Sequence, residues 1–201
     1  MNTKNLAQGS DEWHEARSGR LTASVFASAM GVNPYQSRQK LYAEILGYSP
    51  PFTGNDATAY GTEMEPYARF DYEAWGGVFV EETGFWKGKG DNDFLGCSPD
   101  GLVDNGLVEF KCPYSQEIHT DVPAHYMAQV QGQMAITERQ WCHYVSWAPD
   151  DMSIFLVGYS PEYWAVQRKL LKDFWGCVML KEKPGRRKKP VMPEVTIERL
   201  A

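Results

Sequence analysis

The chain has no CxxC pair and no alternation of cysteine with histidine at zinc spacing; its four cysteines, Cys97, Cys112, Cys142 and Cys177, are scattered along 201 residues. That excludes a zinc-finger or zinc-ribbon module and leaves reduced, buried thiols as the reading. The four histidines, His14, His119, His125 and His143, do not form a ligand cluster either. No stretch approaches the roughly 18 consecutive apolar residues of a membrane span, and the opening MNTKNLAQGSDEW lacks an apolar signal core, so a cytoplasmic protein is expected. Internal repeats and low-complexity linkers are missing too. Positive charge is in short supply: 20 Lys and Arg stand against 26 Asp and Glu, a formal net charge of −6. Such a chain has no general basic field, so any grip on nucleic acid must come from a local positive patch or from bound cations.

What is present is enough apolar material for one substantial core, 43% hydrophobic and 13% aromatic residues, and one globular domain over residues 1–201 is expected. Ser10 is placed to cap a short helix through Arg17 that Gly19 ends, and Thr22 to cap a second that Gly31 closes. A helical stretch around 37–46, the loop SPPFTGND, and a long helix over Ala57 to Trp75 follow. The period then switches. Val78 to Glu82, Thr83 to Lys87, Asp93 to Ser98 and Leu107 to Cys112 read as strands joined by tight turns. Tyr126 to Thr137 returns to a helical period, with Met127, Val130 and Met134 on its apolar stripe and Gln129 and Gln133 beside it. WCHYVSW and SIFLVGY read as a strand pair turned at Pro149-Asp150-Asp151, and Ser160-Pro161-Glu162 opens a last helix. This order predicts an α/β fold, a mixed central β-sheet flanked by helices. A C-terminal helix and basic tail, 161–201, would follow the central part of the domain, about 57–160.

The chemistry concentrates in SPDGLVDNGLVEFK, residues 98–111. On a strand, Glu109 and Lys111 project from one face, about 7 Å apart, while Val108, Phe110 and Cys112 turn the other way into the core. Asp100 lies in a Pro-Asp-Gly turn only a short hairpin away, so two carboxylates can converge beside a lysine. Such a group suits a hard divalent cation that keeps waters, one of which could attack a phosphorus. The bland alternative is that Ser-Pro-Asp-Gly is simply a good turn and that Glu109 and Lys111 are a solvated face. The order PD, short spacer, ExK is nevertheless the signature of the PD-(D/E)xK nuclease superfamily.

Four further blocks stand with it: GSDEWHEARSGRLTAS, YGTEMEPYARF, VEFKCPY and HYMAQVQGQM, with CSPDGL in its place among them. In that order, over residues 9 to 134, the chain resembles the phage lambda exonuclease family, the YqaJ-like viral recombinase nucleases. The resemblance implies a restriction-endonuclease-like core and a magnesium-dependent exonuclease, with manganese as a substitute. It also implies digestion of one strand of linear duplex DNA from 5′ to 3′ and overhangs used in recombination. Asp100 and Glu109 would ligate the metal with the main-chain carbonyl of Phe110, Lys111 would be the catalytic lysine, and Glu65 the helix-borne glutamate near the metal. Gln129 would hold the attacking water or the lysine. Arg17, Ser24 and Ser98 would hold a terminal 5′-phosphate, with Thr22 at the same helix start. The expected partners are double-stranded DNA ends, two further copies in a toroidal homotrimer, and a single-strand annealing protein, in a bacterial host cell carrying phage or prophage.

Each residue also has a plainer reading. Glu65 and Arg69 would make an exposed i, i+4 pair, Gln129 an ordinary helix-surface amide, and Arg17 a C-terminal cap for its short helix. The run KEKPGRRKK, Lys181 to Lys189, could touch the DNA backbone or be a solvated end. Trp13, Trp75, Trp86 and Trp164 read as core or interface aromatics rather than stacking platforms. Three rival functions remain. A CRISPR-associated or helicase-linked nuclease of the same superfamily often groups three of four cluster cysteines late in the chain, which this sequence does not. A restriction-type endonuclease would cut closed circles. A DNA-end-binding adaptor would bind without turnover, although Glu65, Asp100, Glu109 and Lys111 are all present.

Overall fold

Ser10 starts the first helix as its position predicts: its Oγ accepts the Trp13 N–H at 3.2 Å, and α1 runs Asp11–Arg17. The computed structural model describes residue 6 and residues 9–201; residues 1–5 and 7–8, on which part of the reading of the N-terminus rests, lie outside the described residues. A two-residue strand, β1 (Leu21–Thr22), and a 3₁₀ turn, Ala23–Val25, lead into α2 (Phe26–Met30). Thr22 does not cap that helix: its hydroxyl is engaged with Ser24 Oγ at 3.2 Å and receives Arg17 Nη2 at 3.5 Å. Gly31 closes α2 in the left-handed region, φ 80°, as expected. Ser37 caps α3 (Arg38–Ile45). Asn55 and Thr58 cap α4 (Asp56–Gly76) reciprocally, each side chain accepting the other's backbone N–H.

The strands before residue 100 are shorter than the sequence pattern suggests, whereas β5 to β7 reach or exceed the expected length, and the strands form two sheets. One holds β1, β2 (Trp86–Lys87) and β3 (Leu95–Cys97) in the order β1-β3-β2. The other holds β4 (Gly101–Val103), β5 (Gly106–Lys111), β6 (Trp141–Ala148), β7 (Asp151–Gly158) and β8 (Ile197–Arg199), in that order. Both sheets are mixed, β1 with β3 and β5 with β6 being the parallel pairs. Residues 78–82, expected as a strand, contribute only a bridge from Glu81 to Leu102, and β8 was not expected. A parallel pair needs a crossover, and α5 (Ala124–Thr137) supplies it between β5 and β6. The β6–β7 hairpin turns at Pro149-Asp150, and Ser160 caps α6 (Pro161–Leu180), accepting the Tyr163 N–H at 3.1 Å.

Four apolar clusters, three large and one small around Trp13 and Phe85, fill the spaces between these layers. Met127, Val130 and Met134 of α5 bury against Leu107 and Tyr144 of the larger sheet, while Val108, Phe110 and Cys112 pack against Ala68 and Tyr72 of α4. Trp13 is buried, and Trp86 and Trp164 pack against the core, as read; Trp75 remains 45% exposed. All four cysteines are free thiols. Burial pushes Cys97 and Cys142 well above the usual thiol range and Cys112 up to about 12, so they stay protonated and inert.

The helix α5 touches α2 so closely that a Cβ on Gly132 would come within 2.4 Å of the edge of the Phe26 ring, which is fully buried. Two opposed effects then decide Gly132→Ala. Alanine gains about 1 kcal/mol of helix propensity, whereas overpacking a filled core costs about 1–3 kcal/mol. Net destabilisation of up to about 2 kcal/mol is expected in urea denaturation, and a variant as stable as the parent would contradict this packing.

Candidate active site

The alternation of β5 places its residues as expected. Leu107, Glu109 and Lys111 share the face toward α5, opposite Val108, Phe110 and Cys112. The outcome for Glu109 is not a solvated face, because the residue is only 1% exposed. Its carboxylate accepts three charge-assisted hydrogen bonds: Oε1 from Lys111 Nζ and from Gln129 Nε2 at 2.5 Å, Oε2 from Gln133 Nε2 at 2.7 Å. Gln129 and Gln133 stand four apart on α5 and so face the strand together. Gln133 was not among the candidate residues; the i, i+4 repeat of amides beside the apolar stripe was the available signal. The Lys111 ammonium also lies 4.9 Å from the ring centroid of Tyr126.

Asp100 occupies the turn just before β4. Pairing of β4 with β5 stops at Gly101 and Val108, and beyond it the Asp100 carboxylate takes over, accepting the Phe110 N–H at 2.7 Å. Glu65 comes from α4. Its i, i+4 partner Arg69 is 3.8 Å away, but neither side chain is freely exposed, and Arg69 also binds Glu82 at 3.0 Å and the Asp100 carbonyl at 3.2 Å. Arg69 therefore ties the helix carrying Glu65 to the turn carrying Asp100. Burial raises the Asp100 pKa well above the carboxylate range, and repulsion from Glu109 and Glu65 adds to it. Glu65 is raised for the same reasons, burial first and Glu109 next. At Lys111 burial opposes the ammonium, but attraction to Glu109 and Asp100 outweighs it and holds the pKa above the ordinary lysine value.

Among the described residues no three Asp, Glu, His or Cys side chains stand ready as a metal cage, since both Glu109 oxygens are turned to N–H donors. The donor chemistry nevertheless fits a hard divalent cation. Asp100, Glu65 and Glu109 offer only oxygen, and the raised affinity of Asp100 and Glu65 for protons marks carboxylates short of countercharge. Phe110, whose carbonyl is the fourth candidate ligand, lines the same cleft.

That cleft encloses about 2070 Å³ and is lined by Glu65, Asp100, Phe110, Lys111 and Gln129, with Glu109 directly bonded behind them; Arg17, Thr22 and Ser24 line it as well. Arg17 closes α1, its guanidinium 4.0 Å from the Trp13 ring centroid and within 3.5 Å of Thr22 Oγ1. Ser98 is placed differently. It is not a wall of the cleft, and its Oγ accepts the Trp13 indole N–H at 3.0 Å, which fixes the ring under Arg17.

The profile of the YqaJ-like viral recombinase domain matches residues 12–140, which include every one of these side chains. The chain belongs to that family. A crystal structure of an alkaline exonuclease from Laribacter hongkongensis superposes with a TM-score of 0.72 at 31% identity, covering 86% of this chain and 94% of that one. The same exonuclease in complex with dAMP superposes with a TM-score of 0.75. A phage-related exonuclease from Haemophilus somnus shares the fold, with a TM-score of 0.56 at 13% identity over 82% of this chain and 93% of that one. Among viral relatives, an uncharacterized protein of Acanthamoeba polyphaga mimivirus is 27% identical over 72% of this chain and 30% of its own length. A protein of African swine fever virus is 28% identical over 65% of this chain and 46% of its own length. The chain thus spans less than half the length of these two relatives. Within the YqaJ-like domain the matched region ends at residue 140, so β6 to β8, α6 and the basic run lie beyond it.

The carboxylates of this domain differ in what they do for stability. Removing Glu109 leaves Lys111, Gln129 and Gln133 without their acceptor, and each buried unsatisfied group costs about 1–3 kcal/mol; Glu109→Ala should lower the melting temperature. Asp100 has the opposite sign. A carboxyl whose folded pKa is raised contributes stability that is fully present below its unfolded pKa, near 4, and lost as pH rises toward the folded value. His119, His125 and His143, lowered mainly by burial, act with the opposite sign as pH falls but do so in parent and variant alike, so the test is the difference between the two: Asp100→Asn should raise the melting temperature of the metal-free protein at neutral pH and by less at mildly acidic pH. Melting curves from pH 4.5 to 8 in a chelator check both, and a lower neutral melting temperature for Asp100→Asn would contradict the repulsion.

Proposed function

We propose that the chain is a divalent-metal-dependent exonuclease that digests one strand of linear duplex DNA from 5′ to 3′, releasing mononucleotides and leaving 3′ overhangs for recombination by strand annealing. The observation that carries this reading is that one cleft holds both the carboxylate and lysine cluster and, among its lining residues, an arginine with two hydroxyls. Membership of a recombinase family and likeness to alkaline exonucleases support the same reading.

Asp100, Glu109, Glu65 and the Phe110 carbonyl would hold magnesium, or manganese in its place, which when bound supplies Lewis acidity toward a phosphodiester oxygen. The rest follows from the chain's own groups. Lys111, held against Glu109, is placed to orient a water and to stabilise developing negative charge. Gln129 and Gln133 hold Glu109 in one rotamer, and Gln129 keeps a carbonyl oxygen as a further acceptor in the cleft. Arg17, over the Trp13 ring, would offer a fork of donors to a terminal 5′-phosphate, with Thr22 and Ser24 beside it and Ser98 bonded to the Trp13 indole. The full proposal includes a toroidal homotrimer and a single-strand annealing partner. The exposed apolar side chains Tyr67 and Phe70 of α4, with Phe79 after it, give a surface that subunit contact would cover.

End-labelled linear duplex, with and without a 5′-phosphate, tests class, polarity and cofactor together. Digestion from the phosphorylated 5′ end in magnesium or manganese is expected, with binding but little cutting in calcium, and closed circular DNA should survive. Asp100→Ala and Lys111→Ala should each abolish cleavage; ordinary rates for Asp100→Ala would refute the site. Cutting of closed circles would favour a restriction-type enzyme instead.

Arg17→Ala should weaken use of 5′-phosphorylated ends by about tenfold to a hundredfold, the equivalent of roughly 1.5–3 kcal/mol for a charge-assisted contact. A 5′-hydroxyl end has already lost that contact, so mutation and dephosphorylation should not add. Initial rates for both proteins on both ends decide it. Additive losses, with a lowered melting temperature, would mean that Arg17 only props its helix against Trp13.

A further inference from the structure

The run Lys181 to Lys189 sets six basic residues against one acidic one, so the remaining 192 residues carry a net charge of −11. It is not a trailing end. Its start follows α6, where Lys181 closes the helix and Gln39 of α3 donates to the Pro184 carbonyl at 3.1 Å. Arg187 pairs with Asp173 of α6 at 3.0 Å. Just past the run, Met192 and Val195 pack against the core, and β8 then hydrogen-bonds to the edge of β7. The segment is thus pinned before, within and after its basic residues. Between the pins Arg186, Lys188 and Lys189 are exposed, and among the described residues no carboxylate lies within ion-pair distance of them. Lys189, Pro190, Met192 and Pro193 form part of the wall of the cleft that holds Asp100 and Lys111.

A solvated tail would be tethered at one end and would point anywhere. Here the folding of the flanking residues has already fixed the backbone, so holding Lys189 in the cleft wall, with Arg186 and Lys188 on the same pinned segment next to it in sequence, costs little further order when a polyanion arrives. We propose that Arg186, Lys188 and Lys189 form a clamp for the phosphate backbone of the double-stranded segment entering the cleft, a proposal that rests on the DNA-nuclease reading above. The occupant is a regularly charged polyanion rather than a single phosphate, because three unpaired cations within four residues present a row of charges and no enclosed pocket. The clamp binds without reading sequence.

The test is binding of blunt, 5′-phosphorylated duplex to the full chain in calcium, across a sodium chloride series, for the parent and a triple Arg186→Gln, Lys188→Gln, Lys189→Gln variant. Each phosphate contact contributes about 0.9 to the slope of log affinity against log salt, so the variant's slope should be shallower by about two to three. Melting curves of parent and variant should overlay, since only exposed side chains change. A triple variant with the Arg186→Lys change alone restored to a cation should recover about one unit of slope. An unchanged slope overturns the clamp, as does a loss confined to single-stranded DNA. If the parent binds duplex with the expected slope but fails to digest it, the nuclease reading falls while the clamp stands.

Discussion

Everything in this molecule that concerns chemistry is organised around one buried charge, the Glu109 carboxylate. Taking a carboxylate out of water costs several kcal/mol even after relaxation, and a single partner rarely offsets it. Here three donors do so together: one ammonium two residues along the same strand, and two amides four residues apart on α5. That solution dictates architecture. The amides reach Glu109 only if α5 lies over β5, and α5 lies there because it is the crossover between the parallel strands β5 and β6. Apolar packing of Met127, Val130 and Met134 on the same helix supplies the adhesion, and the glutamines supply the polar match. The scaffold that folds the protein and the scaffold that aims its carboxylate are therefore the same pair of elements.

The neighbouring carboxylates are handled in the opposite way. Glu65 and Asp100 are brought near Glu109 by a helix and a turn that Arg69 ties together, yet Arg69 is also engaged by Glu82. Lys111 cannot neutralise three carboxylates alone. Burial first, and repulsion among the three carboxylates second, make this a locally unfavourable arrangement in which Asp100 and Glu65 hold their protons above the usual carboxylate range. A structure selected only for stability would have replaced one of these groups, and sites that keep such strain are commonly those where function needs it.

How much of this was legible in the sequence depends on which physical rule governs each residue. The faces of Glu109 and Phe110 follow from strand alternation, and the caps at Ser10, Asn55 and Ser160 from backbone hydrogen bonding, both of which are local. Alternation names a face but not what covers it, so the burial of Glu109 and the part played by Gln133 emerged only with α5 in place. Thr22 looked like a cap because its spacing fits one; a tertiary competitor, Arg17, shares its hydroxyl with Ser24 instead. That the Ser98 hydroxyl accepts the indole N–H of Trp13, eighty-five residues away, is a pairing no local rule spans. The strands β4 and β8 escaped notice for a related reason: three residues are too few for a period to show, and pairing at a sheet edge defines them.

The distribution of charge follows from the same logic. A net charge of −6 repels a polyanion at long range, but within a Debye length of about 8–10 Å only nearby groups matter. Cations need to be placed, not numerous, and placement requires that something rigid hold them. Arg17 is held by the face of Trp13, Lys111 by Glu109, and the basic run by Asp173 on one side and β8 on the other. In each case the anchor is a group that the fold has already fixed for another purpose, an aromatic in a small apolar cluster, a buried carboxylate, a sheet edge. An acidic protein with few cations can confront DNA on these terms because almost none of its positive charge at the cleft is left to find its own position.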